Sequence, residues 1–461
     1  MPIAALPQET IRLLGSPLVY SSPVAVVKEL VDNAIDARAT SVDVFISANC
    51  VDSIEVRDNG QGIHSDDFAA LGHRGCTSKL RNFEDIQTVG GVTLGFRGDA
   101  LASASTLSTL QIVTRTAGES TAAKLYLSAN GGVAKIERVA APVGTAVKVT
   151  DLFAKIPVRK QWALKEAAKT IPKIKHLLHS YAFAKPHVKL IFRVHEQLKA
   201  AWSYAPGSHP TIKQAALQVF GAELVSQCVE KTNRRVQDMT NSASDNLAAI
   251  FRVQVEGNYI IDALLPQPGA DPTKISKGAW FSVDARPVSS SKGTIKILYS
   301  AFRACLSRTL ASDGSTITLK NPFLAVNINC PPKSYDPNIE PSKDEVLFVN
   351  SHRLIEVFGR LLEDVYSTPP TSNHLYGDHG AQLATPSSHP ASKVAIPQEH
   401  GPRLPSLRHT PVVSPPSPLI SGSDASVSSW IPGLISTSQA GTQQLSTRPL
   451  STVRKMTEEL R

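Results

Sequence analysis

A carboxylate followed by spaced glycines is an acceptor that another molecule can approach closely. Asp58-Asn59-Gly60-Gln61-Gly62-Ile63 is such a run. Its glycines admit positive φ and close backbone contact, and Asp58 can accept from an exocyclic amine such as that of adenine. Asp-Asn-Gly is also a common turn, so the run alone leaves both readings open. Gly95-Phe96-Arg97-Gly98-Asp99-Ala100-Leu101 sets two glycines just before an expected helix, where exposed N–H groups make an anion site suited to phosphate. Gly144-Thr145 opens a Val/Lys/Val strand and offers a hydroxyl near a base. Within Ser22–Ala37 (SPVAVVKELVDNAIDA), Glu29, Asn33 and Asp36 fall within about 60° of one another at ~100° per residue.

The elements that must position these groups can be read from periodicity. Ser22 is a good N-cap and Pro23 suits the first helical position, so a helix is expected over 23–37. Its Val24, Val27, Val31 and Ile35 gather opposite the polar trio, which predicts one packing face and one polar face. Strands are expected at 41–47, 53–58, 109–114, 122–128 and 144–150, and a helix starts at 99–105. After AWSYAPGSHP (201–210), with its prolines and glycine, come a helix at 212–220 and strands at 248–255, 260–265, 279–283 and 323–329. Helices are expected at 292–310 and 353–365. The mixture is α+β in two domains.

In order along the chain, KELVDNAIDA (28–37), RDNGQGI (57–63), TSKL (77–80), GFRGDALAS (95–103), GTAVKVTDLF (144–153) and PVRKQW (157–162) resemble the GHKL ATPases of the Bergerat fold, and within them the MutL mismatch-repair ATPases. The opening LPQETIRLLGSPLVYSSPVAVVKEL is more similar to eukaryotic homologues of the post-meiotic-segregation type than to bacterial MutL. The resemblance covers roughly residues 1–365. It implies a GHKL ATPase domain over 1–205, a ribosomal S5-like α+β transducer domain over 206–366, and ATP and Mg²⁺ as cofactors. By the same resemblance Glu29 would be the general base and Asn33 the Mg²⁺ ligand, with Asp58, Gly60, Gly62 and Thr145 around the adenine. Gly95, Phe96, Arg97 and Gly98 would bind phosphate, while Thr77, Ser78 and Lys79 would belong to a lid. Tyr335–Val346 is similar to the family's DVNVHPxKxEV, which implies that Lys343 reaches the γ-phosphate.

The sequence departs from the family's usual pattern in places. Asp99 stands where Glu is usual, Val89–Leu94 is a longer approach to GFRG, and Pro337 and Glu340 replace Val and His. None of these touches Glu29 or Asn33. The resemblance further implies DNA, a second MutL homologue as heterodimer partner and a MutS-type mismatch-recognition complex as partners, and a nuclear location. A non-hydrolysing accessory subunit is the alternative of a different class, and a type II topoisomerase subunit is a third.

Composition sets outer bounds. The 461 residues carry 42% hydrophobic and 19% charged side chains, and no run approaches the ~18–20 apolar residues of a bilayer span, so no membrane partner is expected. No signal peptide is expected from MPIAALPQET. Cys50, Cys76, Cys228, Cys305 and Cys330 are scattered and form no CxxC, which favours a reducing compartment over a disulfide framework or zinc ribbon. Charge is concentrated: residues 151–199 hold eleven Lys/Arg against three Asp/Glu. Arg159, Lys160, Lys165, Lys169 and Lys173 are candidates for a DNA-facing surface, the other reading being a solvated helix face. From 367 to 461 the chain holds 13 of its 32 prolines and few periodic apolar positions, which predicts a disordered tail or linker. Within it Trp430–Ile435 is an apolar patch. Neither a C-terminal dimerisation domain nor a DQHAxxER endonuclease motif is found, so no nuclease activity is expected of these residues.

Overall fold

In the computed structural model the described residues are 3–82, 85, 91–233, 259–311 and 319–367. The expected strand at 248–255, residues 89 and 90 of the approach to GFRG, and the tail with Trp430–Ile435 lie outside them.

After a helix that local spacing does not announce, Gln8–Val19 (α1), Ser22 caps Pro23–Asp36 (α2) by accepting from the Ala25 N–H at 3.4 Å. The expected split of α2 into a packed face and a polar face is corrected by the structure. Lys28, Glu29 and Asp32 are buried together with the valines, at 9%, 7% and 0% exposure. Other elements cover Glu29 and Asp32, where ion pairs balance the charge and the Tyr181 hydroxyl donates to Asp32, while Asn33 and Asp36 stay half-buried.

The first sheet has the order β5-β4-β3-β6-β2-β1-β7-β8. Its strands are Ser41–Ile46 (β1), Ser53–Asp58 (β2), Thr109–Arg115 (β3), Ala122–Leu127 (β4), Val133–Val139 (β5), Gly144–Thr150 (β6), Lys189–Val194 (β7) and Gln197–Tyr204 (β8). All pairs are antiparallel except β1–β7. Val42, Val44 and Ile46 alternate inward along β1, as do Ile54 and Val56 along β2, and bury one face under α2. Ala100–Leu107 (α3) packs beside β3.

Between 151 and 199 the density of charge obscures helix periodicity. Pro157–Lys165 (α4) and Ala167–Ala184 (α5) occupy that stretch, with Ala163, Ile174, Leu178 and Tyr181 buried. Ala201–Tyr204 belong to β8, so the breaker segment begins only at Ala205.

The second sheet, β12-β11-β13-β10-β9, uses Cys228–Thr232 (β9), Ile260–Pro266 (β10), Ala279–Val283 (β11), Arg286–Val288 (β12) and Leu324–Asn329 (β13). Both of its faces are covered, as period 2 along β11 makes plain. Trp280 meets His176, His179 and Phe183 of α5, while Phe281 meets Tyr299 of the helix Gly293–Leu310 on the opposite face. Helix α5 thus packs on both sheets. Ser351–Tyr366 lies against Gly293–Leu310.

Candidate functional site

Sheet register builds one end of the site. β2 pairs with β6 so that Asp58 lies opposite Thr145, and β3 pairs with β6 so that Thr114 lies opposite the same Thr145. Asp58 Oδ1 accepts from the Gly60 N–H at 2.8 Å and the Thr145 N–H at 3.3 Å. Among the described residues Oδ2 accepts no hydrogen bond. Burial pushes the Asp58 carboxyl up to about 6, and the two N–H groups pull it only partly back. The Thr114 and Thr145 hydroxyls lie 3.2 Å apart, and Thr114 Oγ1 also accepts from the Ile63 N–H at 2.8 Å. Thr114 thus fixes the glycine turn to the strand row, a bond between residues 51 apart that local spacing cannot reveal.

The glycines here answer first to the protein's own backbone. Gly62 has φ +76°, and a Cβ on it would sit 2.3 Å from the Arg115 carbonyl oxygen; one on Gly60 would sit 2.6 Å from that of Ala37. Close packing of the turn against β3 and the end of α2 leaves the Asp58 carboxylate at its rim.

At the other end, α2 meets the glycine loop. Asp36 accepts from the Leu94 N–H on Oδ1 at 2.7 Å and from the Gly95 N–H on Oδ2 at 2.8 Å, while Lys79 Nζ binds Asp36 Oδ2 at 2.5 Å and Asn33 Oδ1 at 3.0 Å. Gly95, Lys79, Asn33 and Asp36 are therefore in mutual contact. Thr77 accepts from the Lys79 N–H at 3.2 Å, and Ser78 is exposed. Asp36, which the motif reading placed on the polar face without a role, organises this end. Gly98 has φ +68° and turns against the backbone of Cys76.

Two residues of the loop and one of α2 reach the second sheet's side. Lys343 Nζ donates to Glu29 Oε2 at 2.8 Å, across 314 residues of sequence. Both side chains are buried, at 4% and 9% exposure. Burial holds the Lys343 ammonium below its ordinary value, with Glu29 and Asp32 opposing. Arg97 donates to Asn338 Oδ1 at 2.7 and 2.9 Å and to the Glu340 carbonyl at 3.0 Å. Phe96 is 3% exposed, with Lys343 Nζ 5.3 Å from its ring. Glu340, which departs from the family's usual residue, pairs with Lys292 at 2.7 Å. Asp99 sits at the N-cap of α3 without a side-chain capping bond.

Beneath Glu29, Asp32 accepts from Lys28 Nζ at 3.0 Å and from the Tyr181 hydroxyl at 2.5 Å. Burial alone would raise the Asp32 carboxyl, yet Lys28, Lys343, Arg286 and the Tyr181 bond hold it below its ordinary value. The Tyr20 hydroxyl near Glu29 is buried with no hydrogen-bond partner among the described residues. No sequence signal marked Tyr20, Tyr181 or Arg286.

Known proteins resemble this chain in sequence and in fold. Residues 20–148 match the family of histidine kinase-, DNA gyrase B- and HSP90-like ATPases, and residues 239–367 match the DNA mismatch repair protein C-terminal domain. The chain is 31% identical over 352 residues to the DNA mismatch repair protein MutL of Bradyrhizobium diazoefficiens. It is 29% identical over 375 residues to the human PMS1 protein homolog 1. These relatives are MutL-family proteins. The aligned parts are 76% and 80% of this chain but only 52% and 37% of those MutL and PMS1 relatives. In fold it is similar to a crystal structure of the N terminal domain of a DNA repair protein, with a TM-score of 0.57 at 23% identity over 77% of this chain and 98% of that one.

For magnesium, the donor in question is the Asn33 amide oxygen, which here accepts from Lys79. Among the described residues no group of three or more His, Cys, Asp or Glu is placed to hold a metal. Mg²⁺ commonly takes one or two protein oxygens and completes its shell with water and phosphate, so the Asn33 amide oxygen is an adequate anchor once Lys79 releases it. Of the cationic candidates, Lys165, Lys169 and Lys173 are exposed. Arg159 donates to the Pro17 carbonyl at 3.3 Å, Lys160 lies 3.8 Å from Asp151, and Lys169 pairs with Glu166 at 2.9 Å.

Proposed function

We propose that this chain is a MutL-type protein that binds ATP with Mg²⁺ and hydrolyses it slowly, using closure of the 77–79 segment and association of N-terminal regions to clamp DNA in mismatch repair. Asp58 receives the adenine amine on Oδ2, with Thr145 behind it and Gly60 and Gly62 keeping the approach open. The backbone of Gly95–Gly98 receives phosphate oxygens. Asn33 holds Mg²⁺, which offsets phosphate charge when bound. Glu29 polarises the attacking water and takes its proton. Lys343 leaves Glu29 for the terminal phosphate, and that exchange reports nucleotide state to the second sheet. The partners are DNA, a second MutL homologue and a MutS-type complex, in the nucleus.

The observation that carries this reading is the buried Lys343–Glu29 pair, which brings a cation from the segment after Tyr335–Asp336 onto the expected base. Single-turnover hydrolysis tests it. Glu29→Ala is expected to lower phosphate release at least about 100-fold while nucleotide binding persists. Unchanged release would favour the second reading, an accessory subunit that binds nucleotide without turnover. That reading draws support from Glu29 and Asn33 each being engaged by a lysine.

A further inference from the structure

Arg286 has no part in the chemistry above, yet it is 1% exposed and carries a full charge. Its Nη2 donates to the Thr93 carbonyl at 3.2 Å, two residues before Gly95. Its Nε and Nη1 are buried and, among the described residues, have no hydrogen-bond partner. Unmet donors on a buried guanidinium are costly, so an acceptor for them is needed in some working state of the site.

The surrounding charges say what kind of acceptor. Lys28 is paired with Asp32 and Lys343 with Glu29, at 3.0 and 2.8 Å, which leaves Arg286 as the cation in this cluster that forms no ion pair among the described residues. Asp284, on the same hairpin, turns its Oδ1 to the Cys330 N–H at 2.9 Å instead. Lys28, Lys343 and Arg286 are matched in number by Glu29, Asp32 and Asp284, so what is unmet is the guanidinium's hydrogen bonding, which the oxygens of an anion satisfy best. Backbone geometry holds the guanidinium there: the turn Asp284-Ala285 has φ of 47° and 66°, a conformation that favours glycine and asparagine, and it closes the Val283–Arg286 pair of β11 and β12.

Position narrows the anion further. The Arg286 guanidinium lies 5.9 Å from the Phe96 ring and Lys343 Nζ lies 5.3 Å from the same ring, so a cation from the second sheet and one from the segment between the short strands Tyr335–Asp336 and Leu347–Phe348 converge on the middle of Gly95–Gly98. Lys343 sits on Glu29, whereas Asp58 marks the far, base-binding end. An anion shared by Lys343 and Arg286 is the last phosphate of a bound chain. We propose that Arg286 is a terminal-phosphate ligand, supplied by the second sheet, that makes the site prefer a nucleoside triphosphate over a diphosphate. This rests on the nucleotide-binding reading given above.

Calorimetry on the full chain with magnesium, comparing ADP with a non-hydrolysable ATP analogue, tests it. Arg286→Met is expected to lose tenfold or more of its affinity for the analogue while ADP affinity stays within twofold, and Arg286→Lys is expected to fall between Arg286→Met and the native chain. If Arg286→Met does not fold by thermal unfolding, Arg286→Lys decides alone by the same ratio. A ratio of the two affinities equal to that of the native chain, whether both fall together or neither changes, overturns the proposal and leaves nucleotide binding standing. A native chain that takes up neither nucleotide defeats the reading beneath it.

Discussion

Asp58 is held in a row of threonines where its charge is unwelcome without a ligand. Its folded value of about 6 lies above the ordinary carboxylate value near 4, so its contribution to stability is fully present below that value and is lost as pH rises through about 6. Asp58→Asn keeps an oxygen for the Gly60 and Thr145 N–H groups and drops the charge. Urea unfolding is expected to find this variant as stable as the native chain or more so at pH 7, by up to about 2 kcal/mol, with the gap closing near pH 4. Nucleotide affinity should meanwhile fall at least about 30-fold, since one buried acceptor is replaced by a poorer one. Lys343 presents the opposite case, because its removal strands the Glu29 carboxylate in the interior. Lys343→Met should cost about 3 kcal/mol or more, and adding Glu29→Gln should restore most of it. Equal losses in the single and double variants would show that the pair is not what holds these groups.

Elements differ in how openly the sequence announces them. β2, β6, α6 (Ile212–Phe220) and β11 fall on their expected bounds, because period 2 or a Thr N-cap marks them locally. The Thr211 hydroxyl does accept from the Gln214 N–H at 3.2 Å. Helix α5 is masked by its lysines, although Ile174, Leu178 and Tyr181 recur at helical spacing. Its role also depends on contacts far away in sequence, with Asp32 149 residues off and with Trp280. His179 on this helix is pushed down to about 4 by burial, with Lys175 and His176 adding to the effect, and its Nε2 has no partner among the described residues. Because the folded value is depressed below the ordinary 6.5, stability is present above that pH and is lost as pH falls toward 4. His179→Phe is expected to flatten the melting temperature between about pH 6.5 and 4.5, read through the neighbouring tryptophans. A slope unchanged by the substitution would assign the acid sensitivity to other groups.

At the scale of the molecule, the family motifs are legible because they lie in short runs, whereas what joins them is not. Glu29, Asn33, Asp58 and Gly95 stand out within a dozen residues of their own context. The bonds from Asp36 to Leu94 and Gly95, from Arg97 to Asn338 and from Arg286 to Thr93 span 58 to 241 residues, and only the packed chain reveals them. Those bonds tie the glycine loop to α2, to Asn338 and to β12, so a change at Gly95 has a direct route to the second sheet. The exposed lysines of α4 and α5 carry the separate DNA expectation. Charge reversal at Lys165, Lys169 and Lys173 should weaken duplex binding at low salt and reduce the slope of log affinity against log salt by about one for each DNA phosphate no longer neutralised. An unaltered slope would place the DNA surface elsewhere.

The exchange of Lys343 between Glu29 and a terminal phosphate can be seen directly in a crystal structure of the chain with magnesium and a non-hydrolysable ATP analogue. The adenine amine is expected on Asp58, the phosphates along Gly95–Gly98, and Lys343 Nζ on the last phosphate with Glu29 free to meet a water. An analogue bound away from Asp58, or bound there with Lys343 still on Glu29, would contradict the account.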